Sequence, residues 1–316
     1  MRLLPSFLLL CIPAIVPAQT LAELTDTLAK AETLDDEAIG DGGEKSATYR
    51  TYEQFRDLAT REELITRLLH KSPIVRGYAA RALADKKEKV DWLAVLRAHA
   101  ADLQEVGTFR GCVKAQERLG DVLIDLARER KLLSDEQWLD LAETLVQQKS
   151  QLAARDGLLR TLKLRDGMLH TLRDLAKGGD RSAHIALARY GIQKDLPLLV
   201  DFLRSKDALQ GNEALLAAQL HPDPTLLHVL EEIEPAVWKR VEAGSSTQMR
   251  EWLAAIAAQQ SEGAGTFLAG FLQRAGEAHP AAMREVLQHL KAALVPYPNC
   301  AALEPVRDQL RKHARR

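Results

Sequence analysis

From Tyr49 onward, apolar residues recur three and four positions apart in segments of about 10 to 20 residues, the usual length of globular helices. This spacing puts the apolar side chains on one face of an α-helix, so it predicts a series of amphipathic helices separated by short breaks. We expect no strand; even Pro197–Phe202 is predicted to be helical, because Asp195 precedes it as a cap. A sheet of three or more strands would contradict this expectation.

The breaks between segments carry the residues that begin and end helices. Three of them have the spacing of a capping box, in which two side chains satisfy each other's free backbone donors: Thr60 with Glu63, Ser134 with Gln137, and Ser245 with Gln248. Prolines at 73, 224 and 235 suit a first helical turn, and glycines stand where helices should stop.

The predicted helices pair into hairpins over about 61–85, 89–130, 135–163, 165–192, 195–220, 222–243 and 246–275, with a terminal pair over about 279–314. Their second helices are expected to start near 73, 110, 150, 181, 208, 235 and 263. The resulting repeat of roughly 27 to 40 residues is typical of helical solenoids.

One hairpin carries a sharper pattern in its second helix, which reads PIVRGYAARAL from Pro73 to Leu83. This segment resembles the second helix of a HEAT repeat, whose pattern is P-x-V-R-x-x-A-x-x-A-L. Looser matches occur at 181–190 and 213–220, and the resemblance extends over about 49–275. It implies an all-α fold, a right-handed HEAT-like α-solenoid of about seven hairpins over 49–316. It also implies that Arg76 is structural and pairs with an acid of an adjacent repeat.

Residues 1–18 have the parts of a secretory signal peptide: Arg2, an apolar run, and a Val-Pro-Ala end before Gln19. A buried N-terminal helix and a lipoprotein signal at Cys11 are the alternatives. The acidic segment 19–48 is predicted to be a capping helix, or else an arm that binds a partner. We therefore expect a periplasmic or secreted protein that begins at Gln19.

Charge and composition limit the function. Lys and Arg total 43 and Asp and Glu total 44, a balance that argues against nucleic-acid binding. The histidines are dispersed and no catalytic or nucleotide-binding motif is present, so we expect no catalytic residues, no metal and no cofactor. Cys112 is expected to be a small buried residue.

These observations predict an exported scaffold that is not an enzyme and that binds a protein or peptide on the concave side, which its second helices line. It would act as a periplasmic adaptor, or as an immunity or inhibitor protein that occludes a toxic enzyme. We expect no nucleic-acid partner and no stable membrane insertion. The alternative is an enzyme or lyase on a helical scaffold, which a buried acid of raised pKa in a deep pocket would support. The basic bias of the candidate contacts suggests an acidic partner. Those contacts are Tyr78, Arg81, Lys114, Arg155, Arg160, Arg181 and Arg189.

Overall fold

The computed structural model describes residues 19–205 and 209–314, and the expected signal peptide, 1–18, lies outside these ranges. The chain divides into two compact units, Met1–Leu132 and Leu133–Arg316. Most of the described residues are helical, which confirms the predicted helical character. The boundary between the units falls inside the range that the sequence analysis assigned to one solenoid.

The N-terminal unit mixes helices with a small sheet. Its elements, in chain order, are α1 (Leu21–Ala29), β1 (Thr33–Ile39), α2 (Ala47–Leu58), α3 (Arg61–Arg67), α4 (Pro73–Asp85), α5 (Trp92–Ala98), β2 (Glu105–Gly111), β3 (Val113–Arg118) and α6 (Leu119–Glu129).

The three strands form one sheet in the order β1-β2-β3. Strand β1 runs parallel to β2, with Thr33 opposite Gly107, and β2 runs antiparallel to β3, with Arg110 opposite Val113. The expectation of no strand is therefore wrong in this unit. The predicted second helix near 110 is instead a β-hairpin, whose two-residue turn begins at Gly111 with a positive φ of 55°.

The acidic N-terminal segment is part helix and part strand. Helix α1 begins after Thr20, which forms a capping box with Glu23, and it ends at Ala29. The chain then enters β1, where Leu34 and Asp35 are buried at 8% and 3% exposure. The segment is thus built into the unit, because its strand supplies one edge of the sheet.

Helix α4, the segment that resembles a HEAT helix, is the most deeply buried helix of this unit. Ten of its thirteen residues are buried, and it contacts α1, α3, α6, β1 and β2. Its small residues permit these close approaches. A Cβ at Gly77 would lie 2.5 Å from Cδ1 of Leu34, so glycine lets α4 pack directly on β1.

Arg76, near the start of α4, is 7% exposed and binds four oxygen atoms. Its Nη1 donates to the carbonyl oxygens of His70 at 2.6 Å and Lys71 at 3.3 Å. Its Nη2 donates to Asp102 Oδ2 at 2.9 Å and Gln104 Oε1 at 2.7 Å. The guanidinium group therefore joins α4 to the loop before α4 and to the loop that leads into β2.

Within its described residues, the C-terminal unit contains helices joined by short loops and no strand. Four single 3₁₀ turns interrupt the series at 166–168, 193–195, 280–282 and 301–303. The α-helices are α7 (Asp135–Gln147), α8 (Ala153–Thr161), α9 (Leu169–Lys177), α10 (Arg181–Tyr190), α11 (Leu196–Arg204), α12 (Glu213–Leu220), α13 (Pro224–Glu232), α14 (Glu234–Glu242), α15 (Ser246–Ala258), α16 (Glu262–Ala278), α17 (Met283–Leu294) and α18 (Glu304–Ala314).

Alternate helices of this unit pack in a row. Helix α10 lies between α8 and α12, and α15 lies between α12 and α17. On the other side, α13 contacts α11 and α16, and α16 contacts α18. After α12 the next helix of the row is α15 and not α14, so two helices, α13 and α14, lie between these neighbours in the chain instead of one. The helices predicted to begin near 235 and 263 as second members of hairpins, α14 and α16, are therefore not the ones that continue the row.

Two of the three predicted capping boxes are present, at Thr60 and at Ser134. At Ser245 the hydroxyl group contacts the side chain of Gln248 and caps no backbone donor, so this box is wrong.

Asp195 precedes a helix, α11, as the sequence predicts, but it does not cap that helix through its side chain. Arg173 takes both carboxylate oxygens, with Nε at 2.6 Å from Oδ1 and Nη2 at 2.9 Å from Oδ2. Asp195 is 2% exposed. Its carboxylate therefore ties α9 to α11, because a buried charge needs a paired partner more than the helix needs a cap.

Candidate functional site

Three of the arginines predicted to bind a partner are paired with acids of neighbouring helices. Arg155 Nη2 lies 2.6 Å from Asp180 Oδ2, just before α10. Arg160 Nη2 lies 2.6 Å from Glu213 Oε1 on α12, and Arg181 Nη1 lies 3.9 Å from the other oxygen of the same carboxylate. These pairs join α8, α10 and α12 and reduce the positive charge that this surface offers.

Arg189 also serves the packing, because its Nη2 donates to the backbone carbonyl of Arg160 and its Nε is buried without a hydrogen-bond partner. Tyr78 is fully buried, so it is not the exposed contact that was expected. Its hydroxyl accepts the backbone N–H of Asp35 at 2.8 Å. Lys114 lies on β3 and not on a helix, with Nζ 4.8 Å from the centre of the Phe109 ring.

Arg81 lines a small pocket of the N-terminal unit. We call this site, of about 70 Å³, the Arg81 pocket; it is bounded by β1, β2, α4 and α6. Its lining residues are Leu34, Asp36, Gly77, Arg81, Thr108, Arg110, Val122, Leu123, Leu126, Glu129 and Arg130. One part of the lining is aliphatic, and the other brings three guanidinium groups near two carboxylates.

A tyrosine cluster supports Arg81 from behind. Tyr52 stacks on Tyr78 with ring centres 4.8 Å apart, and it packs against Tyr49 at 5.4 Å. The Arg81 guanidinium lies 5.3 Å from the ring centre of Tyr49 and 5.5 Å from that of Tyr52. Cation–π contacts of this kind, with desolvated rings, hold the guanidinium group in place.

Hydrogen bonds fix the same group from the sheet side. Arg81 Nη1 donates to the carbonyl oxygen of Asp35 at 2.8 Å, and Nη2 lies 3.3 Å from Asp36 Oδ1. The Arg81 side chain is only 19% exposed, so its orientation is set by the fold rather than by solvent. A preorganised donor of this kind binds an anion with little loss of side-chain entropy.

The other two arginines of the pocket are held more loosely. Arg110 Nη2 lies 3.3 Å from Glu117 Oε2, and Arg130 Nη2 lies 2.8 Å from Asp85 Oδ1. Their side chains are 38% and 47% exposed. Each guanidinium carries five N–H donors, so these single contacts leave donors for a ligand.

Asp85 connects the pocket to the tyrosine cluster. Its Oδ2 accepts the hydroxyl of Tyr52 at 2.6 Å, while its Oδ1 faces Arg130. Burial, together with this hydrogen bond and the charge of Asp85, raises the pKa of Tyr52 far above its usual value. Tyr52 therefore stays protonated and donates to Asp85 throughout the physiological range.

This arrangement suits a small anionic group with a short aliphatic part, such as the carboxylate of an aspartate or glutamate side chain. The aliphatic wall would contact the methylene groups, and the guanidinium groups match the planar geometry of a carboxylate. Arg81 was predicted as a contact from the sequence, whereas Arg110 and Arg130 were not. The alternation of Val106 and Thr108 before Gly111 is the signal that could have placed Arg110 on a strand.

One carboxyl group outside the pocket has a perturbed pKa. Burial raises the pKa of Asp125 on α6, against the lowering effect of Arg128, but Asp125 does not line the Arg81 pocket. Within 19–205 and 209–314, no group of three or more His, Cys, Asp or Glu side chains is placed to hold a metal ion.

Both cysteines of the described chain are free thiols. Cys112 is exposed in the hairpin turn, so the expectation of a buried residue is wrong. No helix in the described part of the chain is long and apolar enough to cross a membrane. Comparison with models of known protein families, with curated proteins and with solved structures found no match.

Proposed function

We propose that this chain is a protein-binding scaffold and that the Arg81 pocket receives an acidic side chain of its partner. The observation that carries the proposal is the fixed guanidinium group of Arg81 beside Arg110 and Arg130, next to an aliphatic wall. The pocket holds about 70 Å³, which suits one side chain rather than a whole metabolite. Arg81 thus keeps the role predicted from the sequence, within a different surface.

The proposed architecture is a HEAT-like α-solenoid with a small sheet added at its N-terminal end. Support comes from the row that α8, α10, α12, α15 and α17 form within the C-terminal unit, since stacked hairpins produce such rows. The buried Arg76–Asp102 pair in the N-terminal unit is the kind of contact that the resemblance implies. The signal-like segment 1–18 supports export to the periplasm or beyond.

Two uses fit such a scaffold: an adaptor in the periplasm, and an immunity or inhibitor protein that occludes a toxic enzyme. Both require the pocket to engage a protein. They differ in what the partner does, so the captured partner's activity should be assayed with and without this chain. Inhibition on binding supports the immunity role, and unchanged activity supports the adaptor role.

The test compares capture of partners from periplasmic extract by the mature protein and by the Arg110→Gln, Arg130→Gln double variant. Arg81 is left intact because it also supports the fold. We expect a partner whose recovery falls roughly tenfold, since a loss of about 1.4 kcal/mol corresponds to that factor. Arg50→Gln, an exposed position on α2 outside the pocket, is the matched control and should not change recovery. Equal recovery by all three proteins would refute the pocket as the binding site.

A further inference from the structure

A larger groove lies in the C-terminal unit, between the ends of α13 and α16 and one side of α14. It has a volume of about 820 Å³, within the range of pockets that bury a drug-sized ligand. Glu231, Glu232, Glu234 and Glu242 line its sides, and the buried Trp238 lies at its base with His279. We call it the Trp238 groove.

The base of the groove is aromatic. The rings of Trp238 and His279 are stacked with centres 3.9 Å apart and planes 16° from parallel. Phe271 lies 5.7 Å from Trp238 and supports it from the core. A flat apolar surface of this kind contacts the methylene stem of a lysine or arginine side chain while the charged end remains free.

The walls carry an excess of negative charge. Four carboxylates face two lining cations, Lys239 and Arg274. Arg274 is paired with Glu234 at 2.7 Å, and Glu232 is paired with Arg204, which does not line the groove, at 2.9 Å. Glu242 has no ion-pair partner within the described residues. The one cationic group that Glu231 approaches there is a histidine, His228, at the long distance of 3.9 Å. At least one carboxylate is therefore left to bind a cation.

The dipoles of the helix ends at the groove oppose one another. Helix α13 ends at Glu232 and α16 ends at Ala278, and both ends border the groove. Helix α14 begins at Glu234, also on the groove, and the positive end of its dipole offsets the negative ends of the other two helices. The preference for a cationic ligand therefore rests on the carboxylates and the aromatic base.

We propose that the Trp238 groove binds an extended, arginine- or lysine-rich segment of a partner protein. The volume exceeds what a single ammonium or guanidinium group fills, which favours a peptide over a small amine. This site lies in the C-terminal unit and is independent of the Arg81 pocket, so either proposal can fail without the other.

The test measures binding of a fluorescently labelled hexa-arginine peptide to the mature protein by fluorescence anisotropy. We expect Glu242→Lys to weaken binding at least tenfold. Glu262→Lys is the matched control, because it makes the same charge change on exposed surface at the opposite end of α16, about 24 Å from Ala278 at 1.5 Å per residue. It should change binding less than twofold. Circular dichroism checks that both variants are folded, and Glu231→Gln replaces Glu242→Lys if that variant unfolds.

Equal weakening by Glu242→Lys and Glu262→Lys would show general attraction to an acidic protein and would overturn the proposal. Absence of binding by the peptide would do the same. Spermidine that displaces the peptide as well as unlabelled hexa-arginine does would show that the groove recognises a small polyamine instead. Weakening by Glu242→Lys alone, with poor competition by spermidine, is the result that the proposal requires.

Discussion

The replacement Arg76→Ala tests the packing of the N-terminal unit most directly. The Arg76 residue is 7% exposed, and its guanidinium group donates four hydrogen bonds, all of which the substitution removes. Their acceptors belong to His70, Lys71, Asp102 and Gln104. The Asp102 carboxylate, whose side chain is 14% exposed, then loses its cationic partner. Removing one member of a buried ion pair costs about 3–5 kcal/mol, because the remaining charge is left uncompensated.

We expect the lower end of that range. Asp102 keeps two other contacts, His99 Nδ1 at 3.2 Å and the backbone N–H of Gln104 at 3.2 Å, and water can reach the vacated space in part. A loss of about 3 kcal/mol would lower the melting temperature of a unit of this size by roughly 10–20 °C. Urea unfolding gives the free energy, and calorimetry gives the melting temperature.

Two further variants sharpen the measurement. Arg50→Ala, at an exposed position of α2, is the control and should change the free energy of unfolding by no more than about 0.5 kcal/mol. Arg76→Lys keeps the charge but lacks the planar fork, so it should fall between wild type and Arg76→Ala. If Arg76→Ala is as stable as Arg50→Ala, the four contacts contribute nothing and the structural role is refuted.

Burial raises the pKa of every tyrosine, to about 12 for Tyr190, so the native state holds protons that the unfolded state releases above about pH 10. The free energy of unfolding should therefore be independent of these groups below about pH 10 and fall as the pH rises to about 12. Urea unfolding measures this fall, and absorbance follows tyrosinate formation. Tyrosinate formation in the intact fold near pH 10 would contradict the prediction. Gly265→Ala should destabilise the protein by about 1–3 kcal/mol or more, because the new Cβ would lie 1.8 Å from the carbonyl oxygen of Ala302. Gly157 lies on α8 with open space beside it, so Gly157→Ala should stabilise the protein by about 0.5–1 kcal/mol. Urea unfolding measures both changes. N-terminal sequencing of the exported protein should begin at Gln19, and retention of Met1 on a cytoplasmic protein would refute the signal peptide.

The helices could be predicted from the sequence because their signals are local. Apolar spacing and caps such as Thr60 and Ser134 involve residues only a few positions apart, so the helices can be located from the sequence alone. Strand β1 gives no such signal: it reads TLDDEAI, and acidic residues are depleted in strands. It is a strand because β2 pairs with it and Gly77 lets α4 cover Leu34, both of which are distant in sequence.

The candidate site shows the same division. Arg81 was found because its helix was recognised, but its neighbours Arg110 and Arg130 come from elements that converge only in the fold. Ion pairing could not be predicted either. Arg160 and Arg181 both pair with the carboxylate of Glu213, which lies more than 30 residues further along the chain. This intramolecular carboxylate partly neutralises their positive charge. Residue type alone predicted a basic surface, and the spatial partners reduce it.

The parallel pairing of β1 with β2 also sets an order of events during synthesis. Residue 33 leaves the ribosome long before its partner, residue 107, and at about 5–20 residues per second the delay is roughly 4–15 s. Helices α2 to α5 can form in that interval, but the N-terminal unit cannot close until the hairpin has emerged. Strand β1 therefore remains without its native strand partner, and accessible to chaperones, until the hairpin has emerged and the sheet is complete.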